Sequence, residues 1–168
     1  MESLGRKVDR RKWGNAMTDA PATFPADAIT VDLRTSANVL STWTARSDDP
    51  KSQDDVALAL VAASETLDKL DVLFLPASML VSAFQVASTP GATCVGDLTG
   101  RHHDVGPLDY GSLGRFANVV VTTMRSEGGL RRWTKKELTT LLRAAVDSKR
   151  LALDDLKPKV RELLARPG

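Results

Sequence analysis

The stretch SQDDVALALVAASETLDKLDVLF, residues 52–74, carries the most regular apolar pattern of the chain. Its apolar side chains recur every three or four residues, at Val56, Leu60, Ala63, Leu67, Leu70 and Phe74. This spacing predicts one face of a helix, and Asp54 and Asp55 favour its first turn through the helix dipole. Pro76 would end or kink that helix. An alternative interpretation makes residues 72–75 a buried strand.

Other segments follow helical spacing less regularly. Residues 36–46 predict a short helix, and residues 79–86 predict an apolar, buried one. Residues 113–124 predict a further helix, although the β-branched run within them also suits a strand. Residues 28–33 alternate weakly and predict one short strand. Glycine and proline interrupt residues 88–107, which therefore predict turns.

The C-terminal segment, residues 134–166, predicts a helical hairpin. Thr134 and Glu137 have the spacing of a capping box, and Trp133 precedes them as a hydrophobic staple. The first helix would bury Leu138, Leu141, Leu142 and Ala145, and the second Val160, Leu163 and Leu164. The two helices could form a helix-turn-helix, but the second lacks the Asn, Gln, Ser and Thr residues that read bases. Sequence-specific DNA recognition is therefore not expected.

Composition favours helices over a large sheet. The chain has 168 residues, of which 42% are hydrophobic, but Ile29 is its only isoleucine and aromatic residues make up 5%. A core of Leu, Val and Ala suits close-packed helices. We therefore predict a mainly α fold, with one domain of about five helices over residues 28–168 and at most one minor strand pair. Residues 1–27 are expected to form a basic arm and a proline-containing linker.

Charge is distributed unevenly along the chain. Residues 1–16 carry a net charge of +3 and residues 125–168 carry +6, whereas residues 17–124 carry −7. Such a split indicates the sign of a partner but not the fold. The candidate contact residues are Arg6, Lys7, Arg10, Arg11, Lys12, Arg131, Arg132, Lys135, Lys157, Lys159 and Arg161. The alternatives are that the basic ends only aid solubility or neutralise the acidic middle.

These patterns favour a non-enzymatic binding or assembly protein. Its basic segments would contact nucleic acid, an acidic protein surface or the acidic middle of a neighbouring copy. The last case makes the protein a homo-oligomer and a coat-like or scaffold subunit. The sequence contains no phosphate-binding loop, nucleophile elbow or metalloprotease motif, so we expect no cofactor.

Cysteine content and hydropathy point to the cytoplasm. Cys94 is the only cysteine, so an intramolecular disulfide is not possible within this sequence. The first sixteen residues are charged and lack the apolar core of a signal peptide. The uncharged apolar run at residues 72–87 is shorter than the ~20 residues that span a membrane, so a buried core segment is expected there.

A small enzyme or metal protein is the alternative function. Cys94, Asp97, His102, His103 and Asp104 are the one cluster that could carry chemistry. Cys94 with a histidine would form a thiol–imidazole pair, and the two histidines with an aspartate could hold a metal. Adjacent residues on a strand point to opposite faces, so both histidines could ligate one ion only from a bent loop.

Overall fold

A six-stranded antiparallel sheet forms the centre of the computed structural model, which describes residues 1–18, 24–91 and 93–165. The strands are β1 (Glu2–Val8), β2 (Leu40–Arg46), β3 (Leu70–Pro76), β4 (Val86–Ser88), β5 (His102–Val105) and β6 (Leu130–Trp133). Their order across the sheet is β4-β5-β2-β1-β3-β6. The predicted mainly α fold with at most one minor strand pair is therefore wrong, and the fold is α/β.

Helices cover both faces of this sheet. They are α1 (Gly14–Thr18), α2 (Ala26–Asp32), α3 (Pro50–Ala62), α4 (Ala77–Ala83), α5 (Tyr110–Arg125), α6 (Lys135–Asp147) and α7 (Pro158–Ala165). Three 3₁₀ turns lie at Arg10–Trp13, Gly96–Arg101 and Leu153–Asp155. On the first face, α3, α6 and α7 enclose one core, and on the second face α1, α2, α4 and α5 enclose another. The sheet is thus buried from both sides.

Strand β1 lies in the middle of the sheet, between β2 and β3. Its register pairs Leu4 with Thr44 on one side and with Leu75 on the other. Leu4 and Val8 are 3% and 4% exposed, so this segment is core. The predicted free basic arm is therefore wrong over the residues of β1. Of the predicted linker, residues 19–23 lie outside the described residues.

The stretch that suggested one long helix contains a helix and a strand. Helix α3 ends at Ala62, and β3 begins at Leu70. In β3, Leu70 and Phe74 face the first core, whereas Leu73 faces the second. Residues four apart share a face in a strand as well as in a helix, so the last positions of the apolar pattern fitted both structures. The alternative of a buried strand at residues 72–75 is confirmed.

Two shorter predictions exchange helix and strand. The predicted helix at residues 36–46 is wrong, because β2 forms there and its side chains alternate between the two cores. The predicted strand at residues 28–33 is also wrong, because α2 occupies it. The turn-rich residues 88–107 include strand β5 and a 3₁₀ turn. In each case tertiary packing outweighs local propensity.

The capping box before α6 is confirmed. The hydroxyl of Thr134 accepts a hydrogen bond from the backbone N–H of Glu137 at 3.3 Å. The carboxylate of Glu137 accepts one from the backbone N–H of Thr134 at 2.7 Å. Helix α6 packs into the first core with α3, while α7 follows it. Arg166, the last residue of the predicted hairpin, lies outside the described residues.

No described helix has the length and hydropathy of a membrane span.

Gly5 marks the closest approach of β1 to α3. A Cβ atom at this position would lie 2.8 Å from Cγ1 of Val56 and 3.3 Å from Cε1 of Phe74. Both neighbours are held in the first core, so neither side chain can move away freely. We expect Gly5→Ala to lower the free energy of unfolding by about 1–3 kcal/mol, measured by urea denaturation.

Gly114 provides the matched control. It lies within α5, and a Cβ atom there would meet nothing within 4 Å. Alanine is the better helix former, so Gly114→Ala should raise the free energy of unfolding by about 0.5–1 kcal/mol. Equal effects of the two substitutions would contradict the close packing of β1 against α3.

Candidate functional site

Cationic side chains gather where β1 ends, beside the entry to β3. We call this the β1 basic surface; its cations are Arg6, Lys7, Arg11, Lys12, Lys69 and Arg132, together with Arg10 on the adjoining 3₁₀ turn. Its carboxylates are Asp9, Asp32, Asp68 and Asp71. Seven cations against four carboxylates leave the surface with a positive charge.

Asp32 fixes the backbone beneath this surface. Its Oδ2 accepts hydrogen bonds from Nε1 of buried Trp13 at 2.7 Å and from the backbone N–H of Asp9 at 2.8 Å. Arg6 donates to the backbone carbonyls of Asp32 and Ser41. Burial lowers the pKa of Arg6 to about 10, against the opposing effect of Asp32. These contacts fasten the end of β1 and the 3₁₀ turn to α2 and β2.

Two carboxylates of the surface bind cations of the surface itself. Asp9 lies 3.3 Å from Arg11, whose hydrogen bond holds the pKa of that carboxyl below its usual range. Asp71, which is buried, accepts two hydrogen bonds from Arg132 at 2.6 and 2.8 Å. The same hydrogen bonds raise the pKa of Arg132.

Three other cations of the surface remain available to a partner. Lys7, Arg10 and Lys69 are exposed and form no ion pair with any described residue. Lys12 is half-buried and lies near Asp9, which it stabilises electrostatically. Asp68 is an exposed carboxylate close to this group. The available charge is therefore positive: Lys7 lies on β1, Arg10 on the 3₁₀ turn and Lys69 immediately before β3.

The structure places the predicted contact residues in different regions. Arg6, Lys7, Arg11, Lys12 and Arg132 belong to the β1 basic surface, and Arg10 lies on the 3₁₀ turn that adjoins it. Arg131 instead pairs with Asp54 at 2.7 Å and lies over the ring of Trp133. On the hairpin, Lys157 pairs with Glu65 and Arg161 with Asp154. Lys135 and Lys159 are exposed on α6 and α7.

Cys94 and the two histidines, the alternative cluster, each contact a different partner. His102 is buried and makes an edge contact with Trp43, whereas His103 lies 3.0 Å from the hydroxyl of Thr44. Cys94 donates to the carbonyl of Ala62, and burial raises the pKa of its thiol, which disfavours the reactive thiolate. No group of three or more His, Cys, Asp or Glu side chains that could hold a metal occurs among the described residues.

A second site lies at the opposite end of β1, in a cleft of about 950 Å³. We call it the Asp55 cleft. The buried carboxylate of Asp55 binds Arg150 through one oxygen at 3.0 Å and Arg101 through the other at 3.3 Å. Arg150 also pairs with Asp97 at 2.6 Å, and this hydrogen bond raises the pKa of Arg150. The cleft thus contains a fixed chain of alternating charges.

Sequence reasoning did not find this cleft. Asp55 was interpreted as a residue that favours the first turn of a helix, which accounts for its position on α3 but not for its partners. Arg101 ends the 3₁₀ turn before β5, and Arg150 follows α6, so both lie far from Asp55 in sequence. A lone arginine at the end of a short element carries no spacing pattern, so no signal in the sequence linked the three.

No family model, curated protein or solved structure matches the chain.

The ion pair of Asp97 predicts a pH dependence of stability. Its hydrogen bond with Arg150 lowers the pKa of Asp97 in the folded chain, so protonation is easier after unfolding. The contribution of Asp97 to stability should therefore be full above about pH 5 and be lost as pH falls through the lowered pKa. Asp97→Asn should lose less stability between pH 5 and pH 2 in chemical denaturation experiments, and at pH 7 should cost less than about 1 kcal/mol.

Asp68→Asn is the control, since Asp68 is exposed and forms no ion pair within the described part of the chain. It should leave the wild-type pH profile unchanged. A profile of Asp97→Asn that matches wild type would show that the Arg150 contact does not persist in solution.

Proposed function

We propose that this protein is a non-enzymatic binding protein that contacts the phosphate backbone of nucleic acid through the β1 basic surface. The observation that carries the proposal is the set of three exposed, unpaired cations, Lys7, Arg10 and Lys69, on a fixed scaffold. Phosphate is the ligand that clustered lysine and arginine side chains bind most generally, and the counterions released on binding supply the free energy.

The scaffold supports this assignment because it limits the entropy lost on binding. The hydrogen bonds of Asp32 hold the 3₁₀ turn of Arg10 in place before any partner arrives. Charges that are already positioned need less ordering than charges on a free arm. The basic residues thus act as a preformed surface, in contrast to the flexible arm that the sequence suggested.

The surface favours contact with phosphates over contact with bases. Trp13 and Trp43, two aromatic residues beside it, are fully or almost fully buried. Stacking on bases needs an exposed ring, and base-edge readout needs polar side chains that project into a groove. We therefore propose binding that is independent of sequence, with duplex nucleic acid as the partner.

The test measures binding of a labelled duplex of mixed sequence by fluorescence anisotropy between about 20 and 200 mM salt. Wild type should bind more weakly as salt rises. In the variant Lys7→Gln, Arg10→Gln, Lys69→Gln, the slope of log K against log salt should decrease by about 2–3, because each lost phosphate contact removes ~0.9.

The matched control removes the same charge from the hairpin. Lys135→Gln, Lys136→Gln, Lys159→Gln also neutralises three exposed lysines. It should keep the wild-type slope. No binding of wild type at low salt, or equal losses in both triple variants, would refute the proposal. Binding to polyglutamate but not to the duplex would identify an acidic protein as the partner instead.

Self-association stays a proposal of its own, derived from the charge split. Opposite charges on two copies would attract most strongly at low ionic strength. We expect the molar mass from light scattering to exceed that of the 18.1 kDa chain at low salt and to fall as salt rises. A constant monomer mass up to millimolar protein would contradict self-association and leave the nucleic-acid proposal intact.

A further inference from the structure

We propose that the Asp55 cleft binds a small anion, through a carboxylate or phosphate group held by Arg101 and Lys51. The cleft lies where β1 begins, whereas the β1 basic surface lies where that strand ends. Its volume of about 950 Å³ matches the pockets that hold small molecules. This inference is therefore independent of the nucleic-acid proposal.

The guanidinium of Arg101 has N–H donors without a partner among the described residues. Its guanidinium pairs with Asp55 at 3.3 Å and forms no hydrogen bond with any side chain or carbonyl in the described part of the chain. A guanidinium carries five N–H donors, so most of them face the cleft unsatisfied by protein. The side chain of Arg101 is 39% exposed, which leaves these donors open to a ligand.

Asp55 holds the two arginines apart and in place. Its side chain is 9% exposed, and each of its oxygens pairs with a different guanidinium. Asp97 supplies a second carboxylate at Arg150, so the two cations and two carboxylates of this chain balance. Arg150 donates to both Asp55 and Asp97, whereas Arg101 pairs with Asp55 alone among the described residues. The geometry explains why an anion would approach Arg101 and not Arg150.

Lys51 adds a second cation to the same cleft. It lies in the first turn of α3, where the helix dipole also favours a negative charge. It is exposed and forms no ion pair with another described residue. Asp49, which also lines the cleft, is engaged as the N-cap of α3, because its carboxylate accepts the backbone N–H of Lys51 at 3.0 Å.

The remaining charges of the cleft limit the ligand to a small one. Glu2 is exposed at the rim, and Arg46 pairs with Asp48 at 3.4 Å. The lining has four side-chain cations and four carboxylates, and the N-terminal ammonium of Met1 pairs with Asp48 at 2.9 Å. A long polyanion would therefore gain little there. A compact anion that reaches Arg101 and Lys51 without contacting Glu2 would gain charge-assisted hydrogen bonds, which are stronger than neutral ones.

The experiment measures the affinity of the full chain for three probes, inorganic phosphate, pyrophosphate and citrate, by isothermal titration calorimetry at constant ionic strength. At least one should bind saturably with 1:1 stoichiometry. Arg101→Gln and Lys51→Gln should each weaken that probe about tenfold or more, which is the loss of one charge-assisted hydrogen bond. Lys51 is exposed, so its variant tests the site even if Arg101→Gln folds poorly.

Lys135→Gln is the control, because Lys135 is exposed on α6 and lies outside the cleft and the β1 basic surface. It should keep the wild-type affinity for the probe within about twofold, against the tenfold loss expected at the cleft. Absence of saturable binding for all three probes would overturn the inference. So would equal losses in Lys135→Gln and Lys51→Gln, because the anion would then bind by general charge and not in the cleft.

Discussion

The pairing of β1 between β2 and β3 is the constraint on which the other features depend. Strands β4, β5 and β2 form one part of the sheet, and β3 and β6 form the other; only β1 joins them. Gly5 lets α3 approach this junction, and Leu4 fills the opposite face. Both candidate sites lie at the ends of the same strand, so their positions relative to one another are set by β1.

Buried carboxylates organise the charges at both ends. Asp32, Asp55 and Asp71 are each less than 10% exposed, and each holds hydrogen-bond donors or cations from distant segments. A buried carboxylate without such partners would be strongly destabilising. The net charge of +2 therefore says little about the surface, because many basic residues serve internal contacts. The charge available to a partner is therefore that of the cations which these carboxylates do not pair with.

Sequence patterns located several helices and one cap, but they did not show the sheet. The capping box of Thr134 and Glu137 involves contacts three residues apart, so it could be predicted. Strand β1 has few apolar residues among its charges, and its two partners are distant in sequence, so its central place could not. Likewise, the charge split indicated most cations of the β1 basic surface. Lys69 lies beside them only because β3, which it precedes, pairs with β1. The arginines of the Asp55 cleft lacked any local signal.

The central position of β1 also has a consequence for the way the chain reaches its native state. A strand near the start of the chain must wait for partners such as Leu75, which is synthesised long after Leu4. Contacts between residues so far apart in sequence close large loops and slow folding. During this interval the unpaired edges of β2 and β3 would be open to strands of other molecules. Solubility during synthesis should therefore depend on how quickly β1 pairs with β2 and β3.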